Sequence, residues 1–175
     1  EDYKVGQLDP YAYNEFVFGF LTKHDNNYLT ELHQLFMEKV IRPQMRPKGF
    51  DAIKKHQDLG HAIVGITATS DFITAPIFRE FGITEIIATN AEVVDGRYTG
   101  KVTGIPCYQK GKLVRLDQWL AGRTVSESWA YSDSINDRFL LEYATHAIAV
   151  NPDDRLEVLA KEQGWDIQDW SIVSV

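Results

Sequence analysis

Apolar residues recur at every third or fourth position through residues 9 to about 45, which is the spacing of an amphipathic helix. A first helix is predicted to begin at Asp9 and Pro10, because aspartate caps a helix and proline is tolerated in its first turn. A second helix carries one apolar stripe and should end near the prolines at 43 and 47. That stripe consists of Leu29, Leu32, Leu35, Phe36 and Val40. We expect the two helices to form a small cap.

Beyond Lys48 the pattern changes to short apolar runs that alternate with helical segments. This alternation predicts an α/β fold with a Rossmann-like, mostly parallel sheet covered by helices. Predicted strands cover residues 61–66, 85–88, 128–131 and 147–150, and predicted helices cover 50–59, 72–81, 110–120, 135–144 and 153–163. Residues 93–98 contain Asp95 followed by Gly96 between two β runs, which predicts a β-hairpin insertion. We therefore divide the chain into a helical cap, residues 1–46, and an α/β core, residues 47–175.

Composition narrows the class of protein. A chain of 175 residues with 44% hydrophobic residues can bury one sizeable core. A net charge of -7 argues against a nucleic-acid partner, and no apolar run is long enough to span a membrane. Cys107 is the only cysteine, so no intrachain disulfide or cysteine-based zinc site is possible, and a reducing cytoplasm is predicted. A small-molecule or protein partner is expected.

Polar residues follow the predicted strands where ligands bind in an open α/β sheet. Residues 63–71 run from an apolar strand into Thr67, Ala68 and Ser70 just before a helix, which suits a phosphate group. The alternative is that Ser70 or Asp71 only caps that helix, and the two interpretations are compatible.

A second group of polar residues follows the strand at 128–131. Asp133 and Asp137 are four positions apart around a turn, so their carboxylates can converge on a hard cation. Helix capping with a solvated acid is the alternative here. Between the two groups, Lys110 and Lys112 open a helix, where a lysine can offset phosphate charge.

The order strand-Thr, helix-opening Lys and strand-Asp-x-x-Asn-Asp resembles the second, third and fourth motifs of haloacid dehalogenase-type phosphatases. The helices before residue 46 lie where the phosphoserine-phosphatase-like branch of that superfamily carries its small cap. The resemblance covers nearly all of the chain. It implies a magnesium-dependent phosphomonoesterase that acts on a small phosphorylated metabolite of the phosphoserine or histidinol phosphate type.

The resemblance also implies roles for individual residues. Asp133 would bind Mg²⁺, and Asp137 would support the metal or its waters. Lys110 would stabilise the nucleophile and the phosphate, with Lys112 as the less favoured choice. The phosphate-binding set would be Thr67, Ala68, Lys110 and Asn136. Ser132 stands where the family has a glycine, which is a small departure.

The first motif of the family, an Asp-x-Asp segment that supplies the nucleophile and the general acid/base, occurs nowhere in this sequence. In the family it precedes the cap and follows a strand inside the sheet. We therefore expect a few dozen residues upstream of Glu1. Without that strand the sheet would keep two unpaired edges, which the missing segment or a second copy of the chain could cover. The chain alone is predicted to be inactive.

Two other interpretations compete with a phosphatase. A non-catalytic relative could bind phosphate or regulate a partner through protein contacts. A nucleotide-binding βαβ domain ranks well below, because neither a Gly-x-Gly-x-x-Gly nor a Gly-x-x-x-x-Gly-Lys-Ser/Thr loop is present.

Overall fold

The structure is a computed structural model, and it describes residues 9–172. The helices are α1 Pro10–Leu21, α2 Asn26–Phe36, α3 Pro47–Asp58, α4 Asp71–Glu80, α5 Lys110–Leu120, α6 Arg138–Tyr143 and α7 Asp154–Gln163. The strands are β1 Val64–Ser70, β2 Glu85–Val94, β3 Arg97–Thr103, β4 Trp129–Ser132, β5 His146–Val150 and β6 Asp166–Gln168. A π-helical turn, Met37–Ile41, and a 3-10 turn, Arg42–Gln44, connect α2 to α3, and a second 3-10 turn, Ile135–Asp137, precedes α6. None of the helices within residues 9–172 is long and apolar enough to cross a membrane.

The first of the helices before residue 46 begins as predicted, at Asp9 and Pro10. The Asp9 carboxylate accepts hydrogen bonds from the backbone of Tyr11 and Ala12, so it caps α1. The apolar stripe predicted for the second helix is mostly exposed: Leu29 is buried, but Leu32, Leu35 and Val40 are 39%, 48% and 39% exposed. Phe18, which is completely buried, packs with Leu21 and Leu29 against Ala91 of β2. This cluster attaches α1 and α2 to the β2–β3 hairpin.

The strands form two three-stranded sheets. In the first, β1 pairs with β2 in parallel and β2 pairs with β3 in antiparallel orientation. Val94 pairs with Arg97, and Asp95 and Gly96 both have positive φ, as the predicted hairpin turn requires. In the second sheet β4, β5 and β6 are all parallel. The predicted fold class, an α/β fold with mostly parallel strands covered by helices, is confirmed.

Several element boundaries differ from the prediction. β1 begins at Val64 and continues to Ser70, whereas the apolar run had suggested residues 61–66. β2 does not stop at Ala88 but extends to Val94 and forms one side of the hairpin. β6 was not predicted, because its three residues are mostly exposed and carry no apolar run.

In the described part of the chain, one unpaired edge of each sheet lies next to the other sheet. Within residues 9–172, β1 pairs only with β2, and β4 pairs only with β5. The two edges are neighbours, because the ring of His61, just before β1, stacks on Trp129 at the start of β4 with 4.8 Å between centroids. His56 of α3 shares a 2.9 Å hydrogen bond with the hydroxyl of Tyr131 on β4. Side chains therefore join the two sheets where their backbones do not.

Candidate active site

The carboxyl end of β1 contains an irregular segment. Ile66 pairs with Ile87 and Ser70 with Thr89, so β1 takes four steps where β2 takes two. Thr67 and Ala68 lie inside this bulge, and not after the strand as the sequence had suggested. The bulge turns backbone groups away from the ladder, an arrangement that is common next to active sites.

The bulge is held by hydrogen bonds from both sides. The Thr67 hydroxyl accepts a 3.2 Å bond from the Thr69 amide, and the Ala68 carbonyl accepts a 3.0 Å bond from the Thr89 hydroxyl. Ser70 caps α4 by accepting from the Phe72 amide, which was the alternative interpretation of this segment. Capping by Ser70 leaves the hydroxyl of Thr67 available, so both interpretations can hold.

At the carboxyl end of β4 the two predicted acids have different surroundings. Asp133 is exposed, and its carboxylate forms no hydrogen bond or ion pair with any residue in the described part of the chain. Asp137 is mostly buried, forms an ion pair with Lys112 and accepts a 2.8 Å hydrogen bond from the Ser132 hydroxyl. Asn136 lies in the 3-10 turn between them, and its backbone amide donates to the Ser134 hydroxyl.

Of the two lysines that open α5, the structure brings Lys112 into this site. Its side chain is only 7% exposed and pairs with Asp137. Lys110 is exposed, and its ammonium lies 5.7 Å from the centre of the Phe139 ring. The preference for Lys110 stays a prediction, and the geometry does not favour it.

Gly111 explains how Lys112 reaches the interior. A Cβ at this position would lie 2.3 Å from the carbonyl oxygen of Pro106, so only glycine allows α5 to approach the preceding loop so closely. The helix starts abruptly after Gln109, whose φ of 46° is positive. Gly111 directly before Lys112 is therefore a sequence signal that could have distinguished Lys112 from Lys110.

Cys107 lies between the two strand ends. It is completely buried, and its amide donates a 3.0 Å hydrogen bond to the Thr89 hydroxyl. Burial raises the pKa of its thiol to about 11, although the charge of Lys112 and a hydrogen bond with the Thr67 backbone act in the opposite direction. The thiol therefore stays protonated at neutral pH. Because both the Thr67 backbone and the Lys112 charge act on this thiol, the β1 bulge and Lys112 lie close to the same side chain.

The site offers few side-chain ligands for the predicted Mg²⁺. No group of three or more histidine, cysteine, aspartate or glutamate side chains within residues 9–172 could hold a metal ion. Mg²⁺ commonly binds through one or two carboxylates and fills its other positions with waters and phosphate oxygens. The unpaired Asp133 carboxylate at a strand end fits such a site. Asp137, already paired with Lys112, fits a supporting position better than a direct one.

The fold, the bulge and the acidic strand end together define an α/β domain with a candidate polar site at the carboxyl ends of β1 and β4. The sequence profile of the haloacid dehalogenase-like hydrolase family matches residues 2–142. The chain belongs to this family and to its phosphatase branch, which confirms the predicted class, a phosphoric monoester hydrolase.

Individual relatives agree with this assignment. The chain is 40% identical over 172 residues to a Neisseria meningitidis histidinol-phosphatase, covering 95% of this chain and 78% of the relative. It is 36% identical over 146 residues to a Mycobacterium tuberculosis phosphoserine phosphatase, covering 82% of this chain but only 47% of that protein. A crystal structure of a Bordetella pertussis protein of unknown function superposes with a TM-score of 0.90 at 41% identity, covering 97% of this chain and 78% of the other.

Proposed function

We propose that the chain forms most of a Mg²⁺-dependent phosphomonoesterase that acts on a small phosphorylated metabolite. The observation that carries this proposal is the buried Lys112–Asp137 pair beside the unpaired carboxylate of Asp133. The buried ammonium of Lys112 can offset the negative charge of a phosphate, and the free carboxylate of Asp133 can bind the metal ion.

Each residue of the site has a proposed part. The hydroxyl of Thr67 and the amide of Ala68 bind phosphate oxygens at the bulge. Lys112 takes the position that the sequence had assigned to Lys110, because its ammonium is held in place while that of Lys110 lies in solvent. Asn136 orders the turn that follows β4.

Asp133 is the proposed ligand of Mg²⁺, and Asp137 supports the site while fixing Lys112. When bound, Mg²⁺ would offset negative charge on the phosphoryl group. The serine at 132 donates to Asp137, so it contributes to the site although the family has glycine there.

The nucleophile would come from an Asp-x-Asp strand outside these residues. The free edges of β1 and β4 are neighbours, so one extended segment between them would join both sheets into one. An aspartate at the carboxyl end of that segment would lie between Thr67 and Asp133. It would attack phosphorus and break the ester bond, and the second aspartate would protonate the leaving alkoxide. Water would then hydrolyse the aspartyl-phosphate to inorganic phosphate and the free carboxylate. Without it, the chain is expected to be inactive.

Histidinol phosphate and phosphoserine are the proposed substrate types, since two relatives carry the corresponding names. A cytoplasmic location remains a prediction from the sequence. The occupant of the free edges is proposed to be the upstream segment, with a second copy of the chain as the alternative.

The test combines intact-mass measurement under denaturing conditions with a phosphatase assay on the same sample. Release of phosphate from histidinol phosphate or phosphoserine is measured with Mg²⁺ and with excess chelator. A species containing Asp-x-Asp that is active only with Mg²⁺ would support the proposal. An inactive species that contains Asp-x-Asp would overturn it.

The alternative raised by the sequence, a non-catalytic relative that binds phosphate, makes the opposite prediction in this test. A naturally short protein that is soluble, inactive and stable without upstream residues would select this candidate.

A further inference from the structure

Arg115 connects three elements around the proposed active site. One of its guanidinium nitrogens donates to the carbonyl of Ala88 on β2 at 3.1 Å and to the carbonyl of Ile105 at 2.9 Å. The other donates to the side-chain oxygen of Asn90 at 2.8 Å. Arg115 lies one helical turn after Lys112, so both side chains project from the same face of α5.

The hydrogen bonds continue from Asn90 to the start of α4. The Asn90 amide donates to Asp71 at 3.1 Å, and the other oxygen of Asp71 accepts from the amides of Phe72 and Ala91. Asp71 directly follows Ser70, where the β1 bulge ends. A single guanidinium is thus linked through Asn90 to the segment that carries Thr67.

The neighbouring residue of β2 makes the matching connection. The Thr89 hydroxyl donates to Ala68 in the bulge and accepts from Cys107 in the loop that leads to α5. The carboxyl end of β2 is therefore a platform shared by the bulge and by this loop, residues 104–109. Arg115 holds the loop against the platform through Ile105.

We infer that Arg115 is a positioning residue that fixes Lys112 relative to the β1 bulge. It acts through Asn90 and the 104–109 loop. An active-site group displaced by about 1 Å can lower turnover by about 100-fold. The catalytic part of this inference rests on the proposed phosphatase function, whereas the positioning part does not.

The only cysteine of the chain provides a readout that needs no turnover. Cys107 lies in the loop that Arg115 holds and is completely buried, so alkylation requires the loop to open. Arg115→Lys keeps the positive charge but cannot make the forked set of bonds to two carbonyls and an amide. We expect iodoacetamide to label native Cys107 about tenfold faster in Arg115→Lys than in the parent. Opening the loop would break one or two hydrogen bonds fewer in the variant, and that loss corresponds to about a factor of ten in the population of the open loop.

Arg123→Lys is the matched control. Arg123 follows the same helix, is half exposed and stacks on Trp119 at 4.4 Å, outside the network. We expect its labelling rate and its kcat to equal those of the parent. Melting temperatures of all variants are measured, and rates are compared well below them.

In the protein with its Asp-x-Asp segment, Arg115→Lys is expected to lower kcat about 10- to 100-fold with KM changed less than about twofold. Asn90→Ala breaks the connection to Asp71 and leaves both carbonyl bonds, so kcat should fall while Cys107 labelling stays slow. In the double variant Arg115→Lys/Asn90→Ala the reductions in kcat should not be additive, because both residues belong to one hydrogen-bond network.

Unchanged labelling in Arg115→Lys, or faster labelling with unchanged kcat, overturns the inference. A parent protein without phosphatase activity would instead defeat the proposed function, and the labelling result would still decide whether Arg115 holds the loop.

Discussion

Replacing Lys112 by methionine tests whether the pair with Asp137 is as buried as the structure shows. The two side chains are 7% and 16% exposed. Removing one partner of a buried ion pair typically destabilises a protein by about 3–5 kcal/mol, because the other charge stays buried. We expect the lower end, about 3 kcal/mol, since Asp137 keeps its bond from Ser132. For a chain of this size that corresponds to a melting temperature lower by about 6–12 °C.

Lys110→Met is the matched control, two positions away in the same helix. Lys110 is exposed, so the change should move the melting temperature by less than about 2 °C. The double variant Lys112→Met/Asp137→Leu should recover most of the lost stability, because no unpaired charge remains. Thermal unfolding at pH 7, followed by circular dichroism, measures all three. Equal melting temperatures for the two single variants would refute the reasoning.

Three further predictions use other parts of the molecule. In the protein with its Asp-x-Asp segment, Asp133→Asn should lower Mg²⁺-dependent turnover at least about tenfold at an unchanged melting temperature. The exposed Asp117→Asn is the control, and full activity of Asp133→Asn would remove Asp133 from the metal site. Gly111→Ala should destabilise the protein by about 1–3 kcal/mol, because the new Cβ would lie 2.3 Å from the Pro106 carbonyl oxygen. Gly19→Ala is the control and should be neutral or stabilising, because no atom lies within 4 Å of its Cβ position. Equal stabilities of the two variants in calorimetry would contradict this prediction. Burial and the nearby His61 lower the pKa of His56 in the folded protein. As the pH falls, the unfolded chain therefore binds a proton at this histidine before the folded chain does. The contribution of His56 to the free energy of unfolding should be fully present above about pH 6.5 and decrease below it. Urea unfolding measures the free energy of unfolding at pH 7.5 and 5.5. The decrease between the two pH values should be smaller for His56→Gln than for the parent or for the control His24→Gln, and equal decreases would exclude His56 as the cause.

The sequence was most informative where one local rule determines the structure. Asp9 marks the start of α1 because an aspartate can bond the free amides of a first helical turn. Asp95 and Gly96 predict the hairpin because both residues tolerate positive φ. The alternation of helices and apolar strands predicts the fold class by the same kind of local logic.

Register and burial were less predictable because they depend on distant residues. The bulge in β1 exists only relative to β2, and an apolar run cannot show that polar Thr67 and Ser70 continue a strand. Lys112 is buried because Asp137, 25 positions later, compensates its charge. Arg115 was not singled out, since its partners are mostly backbone carbonyls that carry no sequence signature.

The free edges of β1 and β4 also bear on the order in which the molecule assembles. One sheet is built from residues 64–103 and the other from residues 129–168, so each consists of neighbours in the chain and can form early. A strand inserted between them would pair with both only after each had formed. We expect the proposed upstream strand to be the last to dock, and its pairing with both edges to make the two sheets unfold more cooperatively. A peptide supplied separately could then act as the switch of a split enzyme.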